Sequence, residues 1–377
     1  MTLKKMLRQA PLLRPLGYPV WSRGVVAVCF AKDLAAAAAM LGDEFYTSCR
    51  AFFIVDQGSR TPREIAGPAG PSGARLPVRK LFGDPLPLDA DIALVLPSYG
   101  WNKLAAGACS LKTLGFDAFH VLMPMRRDEW VSPYRPDYYD ANRPALERVY
   151  ALLDDQDSRQ AFAARVRALA TGNIGYYRLS SYNEYFHPQV SLCPGDVVID
   201  GGISADIHSQ RVFCGLVGDQ GRLYGFEPDP VGFAAAASQI AGQDGCRNFQ
   251  LVPLGLWNEK TALPFASGGG ESRVAADGGQ GNTVCEMTTV DDFVAENGLE
   301  RVDFIKLDVE GAEMQALEGA AATLVRCRPR LAISVYHRPE DLFAIPLYLK
   351  DLLPNSRFYL GHHTACALET VFYVLPG

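Results

Sequence analysis

A chain of 377 residues is longer than one hydrophobic core usually supports, so two domains are expected. Hydrophobic residues make up 48% of it and charged residues 21%, which excludes global disorder. A formal net charge of −6 argues against a surface built to neutralise phosphates, so no nucleic-acid partner is expected.

The basic cluster Lys4, Lys5, Arg8 and Arg14 is short and proline-interrupted, and it lacks the apolar run of a secretory signal. It reads as a solvated terminus. No window reaches the roughly 20 apolar residues of a membrane span. Nine cysteines without a C-x-x-C pair fit a reducing compartment. A soluble, cytoplasmic protein is expected.

From residue 24 the chain reads strand (VVAVCF), helix (33–41) and strand (51–56). After a proline- and glycine-rich stretch at 58–77, a strand at 91–97, a helix at 103–114 and a strand at 119–123 continue the alternation. Strands alternating with helices imply a parallel sheet covered on both faces. This predicts a first α/β domain over residues 1–135. The turn after its first strand, in CFAKDLAAAAAM, holds no glycine, so it offers no gap for a pyrophosphate and a dinucleotide is not expected. Residues 136–188 read as a helical connector, because RPALERVYALLDD and RQAFAARVRALA repeat apolar residues at three- and four-residue steps. The tyrosine-rich GNIGYYRLSSYNEYFHP, 172–188, closes it.

A second alternation fills residues 189–377: strand 197–200, helix 206–217, strand 222–228, helix 230–241, strands 249–257 and 302–308, helix 311–324, strand 330–337 and helix 345–353. Strands at 357–363 and 370–376 have no helix between them and must pair as a hairpin. The segment ASGGGESRVAADGGQGN, 266–282, is too glycine-rich to hold an element. It reads as an exposed flap, either a lid or an insertion without a role.

In open α/β sheets ligands bind beyond the carboxyl ends of the strands. Asp200, Glu227, Asp308 with Glu310, and His337 all fall at such ends. Gly201 and Gly202 allow a tight turn, and the next helix N-terminus offers free N–H groups; a purely structural turn fits the same residues. A carboxylate at Glu227 can accept from both hydroxyls of a ribose, or it is a solvated helix cap. In FIKLDVEGAE, burying Lys306, Asp308 and Glu310 unpaired would be costly, so they pair with one another or face a cleft. His337 is placed to accept a proton near neutral pH, although a lone histidine is more often structural. His362 and His363 end the next strand, and with Asp308 and Glu310 they show no tight ligand spacing. No metal site is expected.

The strings VVIDGG, GFEPDP and TTVDDF, and above all DFIKLDVEGAE followed by LAISVYHRPEDLFAIPLYL and YLGHH, resemble the FkbM-type S-adenosylmethionine-dependent methyltransferases over residues 182–375. The resemblance implies an α/β fold: a C-terminal Rossmann-like class I methyltransferase domain with a mostly parallel seven-stranded sheet and terminal β-hairpin, behind a smaller degenerate Rossmann-like α/β domain. It implies S-adenosylmethionine as cofactor, with Asp200, Gly201, Gly202 and Glu227 holding it, Asn258 toward the adenine and Asp308 nearest the methyl. The implied reaction is O-methylation of a hydroxyl on a sugar, glycan or natural product, an in-line displacement with His337 or Asp308 as general base. The chain departs from the family at Asp206, close to Ser204, where a glycine is common and a carboxylate would lie near the methionine end. Two other readings stand beside it. One is a binding module that kept the fold and lost catalysis through changes such as Asp206. The other is a nucleotide-sugar oxidoreductase working through the first domain, against which the missing glycine loop argues. The implied partner is a small-molecule or carbohydrate acceptor, and the first domain is expected to serve either substrate recognition or contact with a second copy of the chain.

Overall fold

The structure, a computed structural model, describes residues 24–40, 48–55, parts of 75–96 and 107–122, and 136–377 apart from 172–175, 204–206, 242–246, 268–271, 276–280 and 365–366. The chain divides into two compact units. One holds residues 1–144, 163–178 and 365–367; the other holds 145–162, 179–364 and 368–377.

The first unit carries β1 (Val25–Phe30), α1 (Leu34–Met40), β2 (Cys49–Val55), β3 (Val78–Lys80), β4 (Asp91–Val95) and β5 (His120–Leu122). These strands form one parallel sheet in the order β3-β2-β1-β4-β5. Every residue of the apolar β1 is buried, as a central parallel strand requires. The order reverses at β1, which is the Rossmann-like arrangement, yet β1 runs straight into a 3-10 turn at Ala31–Asp33 with no glycine. The proline- and glycine-rich stretch and most of the expected helix at 103–114 lie outside the described residues.

Three helices, α2 (Pro136–Ala141), α3 (Arg143–Leu152) and α4 (Gln156–Thr171), fill the first part of the expected connector at 136–188, and the described residues 176–188 hold no α-helix. On α3 the residues at three- and four-residue spacing, Leu146, Val149 and Tyr150, are the buried ones.

The second unit continues with β6 (Val197–Gly201), α5 (His208–Val217), β7 (Arg222–Phe226), α6 (Pro230–Ala241), β8 (Phe249–Val252), β9 (Gly255–Leu256), β10 (Thr261–Ala266), β11 (Arg273–Val274) and β12 (Thr283–Thr288). It closes with α7 (Val290–Glu296), β13 (Phe304–Leu307), α8 (Glu313–Glu318), α9 (Ala321–Cys327), β14 (Arg330–Ser334), α10 (Asp341–Leu352), β15 (Arg357–His362) and β16 (Thr370–Leu375). Seven of the strands form a sheet in the order β15-β16-β14-β13-β6-β7-β8, in which β16 alone runs antiparallel to its neighbours. The expected terminal hairpin is β15 with β16. Phe213, Phe304, Val198, Tyr359 and Tyr373 pack into a buried cluster on this sheet. Its outer strand is covered: Asp154 accepts from the Phe358 N–H at 2.6 Å and Ser158 Oγ from the Leu360 N–H at 3.0 Å.

Four expectations need correction. The apolar run 249–257 is not one strand; Pro253 follows β8, and the chain leaves the main sheet for β9, which pairs with β12. The segment 266–282 is not without structure, because β11 pairs with β10 in a four-stranded sheet β11-β10-β12-β9. The helix expected at 311–324 is two short helices, and the strand expected at 330–337 ends at Ser334. Among the described residues no helix is long and apolar enough to cross a membrane.

Candidate active site

Beyond the carboxyl ends of β6, β7 and β13 lies an open cleft within the second unit. Phe226, Leu256, Phe265, Val274 and Met287 make an apolar wall, while Glu227, Asp308 and Glu310 bring carboxyl groups to its rim.

The floor is built by an ion pair. Lys306 sits in the fully buried β13 and pairs in the ladder with Asp200 on β6, so one buried side chain is placed directly beside another. Lys306 Nζ lies 3.1 Å from Asp200 Oδ1 and donates to the carbonyls of Gly201 (3.1 Å) and Gly202 (2.6 Å). Gln210 Nε2 donates to the other Asp200 oxygen at 2.7 Å. Burial alone would strip the proton from Lys306, but Asp200 and Asp308 outweigh it and raise the ammonium above its ordinary value. Asp200 therefore does not reach the cleft; it holds Lys306, which holds the turn. Gly202 has φ +85°, and a Cβ there would lie 1.7 Å from the Asp308 carbonyl oxygen. Only glycine fits.

Glu227 follows β7 and faces the cleft with little exposure. Burial raises its carboxyl to about 7, although the Asp229 N–H, which donates to Oε1 at 2.9 Å, works in the opposite direction. Asp229 is fully buried and accepts from Ser267 Oγ (2.8 Å) and Ser272 Oγ (2.7 Å). These two serines, on either side of 268–271, tie the expected flap to the β7 end of the cleft, and Ser272 itself lines it. The sequence offered a signal for this, since serines flank the glycines, but no partner for them.

Asp308 follows β13. Its Oδ2 accepts from the Tyr185 hydroxyl at 2.6 Å and its Oδ1 from the Tyr336 hydroxyl at 3.1 Å. Burial would raise its proton affinity, but Lys306, His337 and the Tyr185 hydrogen bond prevail and keep it below the usual carboxylate range. The next turn explains the rest of the acidic string. Glu310 takes φ +53°, and the fully buried Glu313 reaches back so that its Oε1 accepts from the Val309 N–H at 2.8 Å. His337, three residues past β14, sets Nδ1 2.9 Å from Glu313 Oε1 and Nε2 3.5 Å from Glu310 and 3.6 Å from Asp308. Burial alone would lower the imidazole, but these three acids raise it well above its ordinary value. These neighbours favour its charged form. Beside Asp308, the carboxyls of Glu184 and Glu369 hydrogen-bond to each other, and burial and then Glu369 push Glu184 up to about 11.

The structure thus gathers Gly202, Glu227, Asp308 and Glu310 at the cleft, puts Gly201 and Asp200 beneath it, and sets His337 against Asp308. It does not bring Asn258 there: that side chain is exposed and donates to Glu318 Oε2 at 3.1 Å. His362 is buried with Nδ1 2.7 Å from Thr370 Oγ1, and His363 is lowered to about 4 by burial beside the Tyr373 hydroxyl. Asp308, Glu313 and His337 do converge, with one ligand-type atom from each within 4.8 Å of the others. The His337–Glu313 ion pair occupies that convergence. Asp206 and Ser204 lie outside the described residues. Sequence reasoning missed Tyr185 and Tyr336; the tyrosine-rich segment before β6 was the only signal for the first.

A sheet of this order, with its cleft and acids at these strand ends, defines the class I methyltransferase fold. Residues 205–355 match the methyltransferase FkbM domain. A curated relative, 2-O-methyltransferase NoeI of Sinorhizobium fredii (strain NBRC 101917 / NGR234), is 26% identical over 182 residues, which are 43% of this chain and 72% of that protein. The crystal structure of methyltransferase FkbM from Methylobacillus flagellatus KT has a similar fold, with a TM-score of 0.64 at 19% identity over 99% of this chain and 98% of that one.

Proposed function

We propose that the second unit binds S-adenosylmethionine in the cleft and directs methyl transfer to a hydroxyl of a sugar, glycan or similar polyhydroxylated acceptor. The observation that carries this is the pairing of a glycine-only turn at Gly202 with carboxyl groups at two neighbouring strand ends, Glu227 and Asp308. The residues present fit the cofactor: an acceptor-only group for ribose hydroxyls, an apolar wall for a base, and an anion opposite where a sulfonium would be favoured. The name of the NoeI relative supports oxygen as the methylated atom.

When bound, the cofactor supplies an activated methyl group for in-line displacement. Glu227 orients it through the ribose, and Phe226, Leu256 and Met287 exclude water. As the acceptor oxygen begins to bond to carbon its proton becomes acidic, so a carboxylate is basic enough to take it. Asp308 is the anion at that place. His337 was the other expected base; its three acidic neighbours favour the protonated form, and we assign it the role of holding Asp308 and Glu310. Incubation with methyl-labelled cofactor and a panel of saccharides and polyols should yield a labelled methyl ether stable to mild base. Label recovered only on carboxyl or amine acceptors would contradict the proposal.

A pH dependence follows from Glu227. Its folded-state value of about 7 exceeds the ordinary 4.5, so the folded apo protein binds this proton more tightly than the unfolded chain does. That contribution to stability is complete below about 4.5 and is lost as pH rises through about 7. Ribose hydroxyls donate to the ionised form, so affinity for S-adenosylhomocysteine rises between pH 6 and 8 with release of a proton. Calorimetry in two buffers of different ionisation heat measures that proton, and Glu227→Gln should abolish it.

A further inference from the structure

We infer that Tyr185 is a positioning residue for methyl transfer: its hydroxyl fixes the Asp308 carboxylate while its ring covers the Lys306 ammonium. The inference rests on the reading that the cleft holds S-adenosylmethionine. Tyr185 precedes residues 205–355, so the family domain alone would lack a part of its own site.

The geometry is that of a clamp. The Tyr185 hydroxyl donates to Asp308 Oδ2 at 2.6 Å, the short distance typical of a charge-assisted bond. Lys306 Nζ lies 5.1 Å from the centre of the same ring, within cation–π range. One side chain therefore touches both charges that shape the cleft: the lysine that holds the Gly201 and Gly202 carbonyls, and the acid at the end of β13. Tyr185 is itself held. Its backbone N–H donates to the Tyr373 hydroxyl at 3.2 Å, that hydroxyl lies 3.1 Å from His363 Nε2, and the side chain is buried. With Tyr336 on Oδ1, both Asp308 oxygens are taken by tyrosine hydroxyls and the carboxylate has one orientation. Without the Tyr185 hydroxyl only the longer Tyr336 bond holds it, so Oδ2 can turn toward Lys306 or His337 and the charge shifts from the place where a sulfonium would feel it.

Charge discrimination tests this without knowledge of the acceptor. S-adenosylmethionine carries a sulfonium and S-adenosylhomocysteine a neutral thioether, so the ratio of their Kd values reports on where the Asp308 charge sits. Calorimetry on the full-length chain compares the parent with Tyr185→Phe, Tyr185→Leu and Asp308→Asn, with folding checked by thermal melting. Tyr185→Phe keeps the ring over Lys306. Its affinity for S-adenosylhomocysteine should stay within about twofold, while its preference for S-adenosylmethionine falls about tenfold, toward that of Asp308→Asn. Tyr185→Leu loses the ring as well and should weaken both ligands. A Tyr185→Phe protein with the parental ratio overturns the inference, as does one that loses both ligands equally. A parent that binds neither compound removes the cofactor reading and this inference with it.

Discussion

Lys306→Met should lower the stability of the second unit by about 3–5 kcal/mol, the usual cost of leaving one partner of a buried ion pair uncompensated. For a unit of this size that is a fall in Tm on the order of 10 °C. The cause is local. Asp200 is fully buried, and its Oδ1 has Lys306 as its counter-charge, while Gln210 serves only the other oxygen. The Gly202 carbonyl loses the Lys306 donor in the same variant, and the Gly201 carbonyl keeps the Asp308 N–H, so the turn loosens and cofactor affinity falls with stability. Removing both charges in Lys306→Met with Asp200→Leu should return much of the stability, because well-packed apolar pairs often replace buried ion pairs at little cost. The turn would stay loose and binding would stay weak. A double variant no more stable than the single one, by thermal or denaturant melts, would show that Asp200 matters for something other than its charge partner.

Asp308→Asn should reduce turnover about 10²- to 10⁴-fold, the range a positioned general base supplies. Asparagine keeps the shape; its Oδ1 can still accept from one tyrosine hydroxyl while its Nδ2–H donates to the other, so the fold and the binding of S-adenosylhomocysteine should persist. His337→Gln should also leave that binding intact while it lowers turnover, since it releases Glu310 and Asp308 from their cation. If His337→Gln instead loses the ligand, the histidine serves the structure alone, and its ion pair with Glu313 would be the reason.

Much of this arrangement was legible in the order of residues. The apolar strands at 197–201, 222–226 and 304–307 and the acids that follow them are visible without coordinates, and a strand-end acid must lie near the others once the sheet is parallel. What could not be read was which way each acid points. Asp200 and Glu227 look alike in the sequence, yet Asp200 meets Lys306 because β6 lies beside β13, two strands far apart along the chain. The four-stranded sheet was missed because its pairing brackets glycine-rich chain, so neither partner strand announces the other. The break between α8 and α9 has a similar origin. A Cβ at Gly319 would lie 2.1 Å from the Trp257 carbonyl oxygen, a tertiary approach that no helical periodicity records. Tyr185 belongs to the same group: its function depends on a contact across 123 residues.

The central claim is that the cleft between Gly202, Glu227 and Asp308 is a cofactor site, and calorimetry with S-adenosylmethionine, S-adenosylhomocysteine and NAD tests it most directly. A ligand that binds only the folded state also raises its Tm by mass action, which gives an independent check. The expected result is binding of both adenosyl compounds, none of NAD, and a large loss of affinity in Glu227→Ala. No response to either adenosyl compound, or a Glu227→Ala protein that binds like the parent, would contradict it.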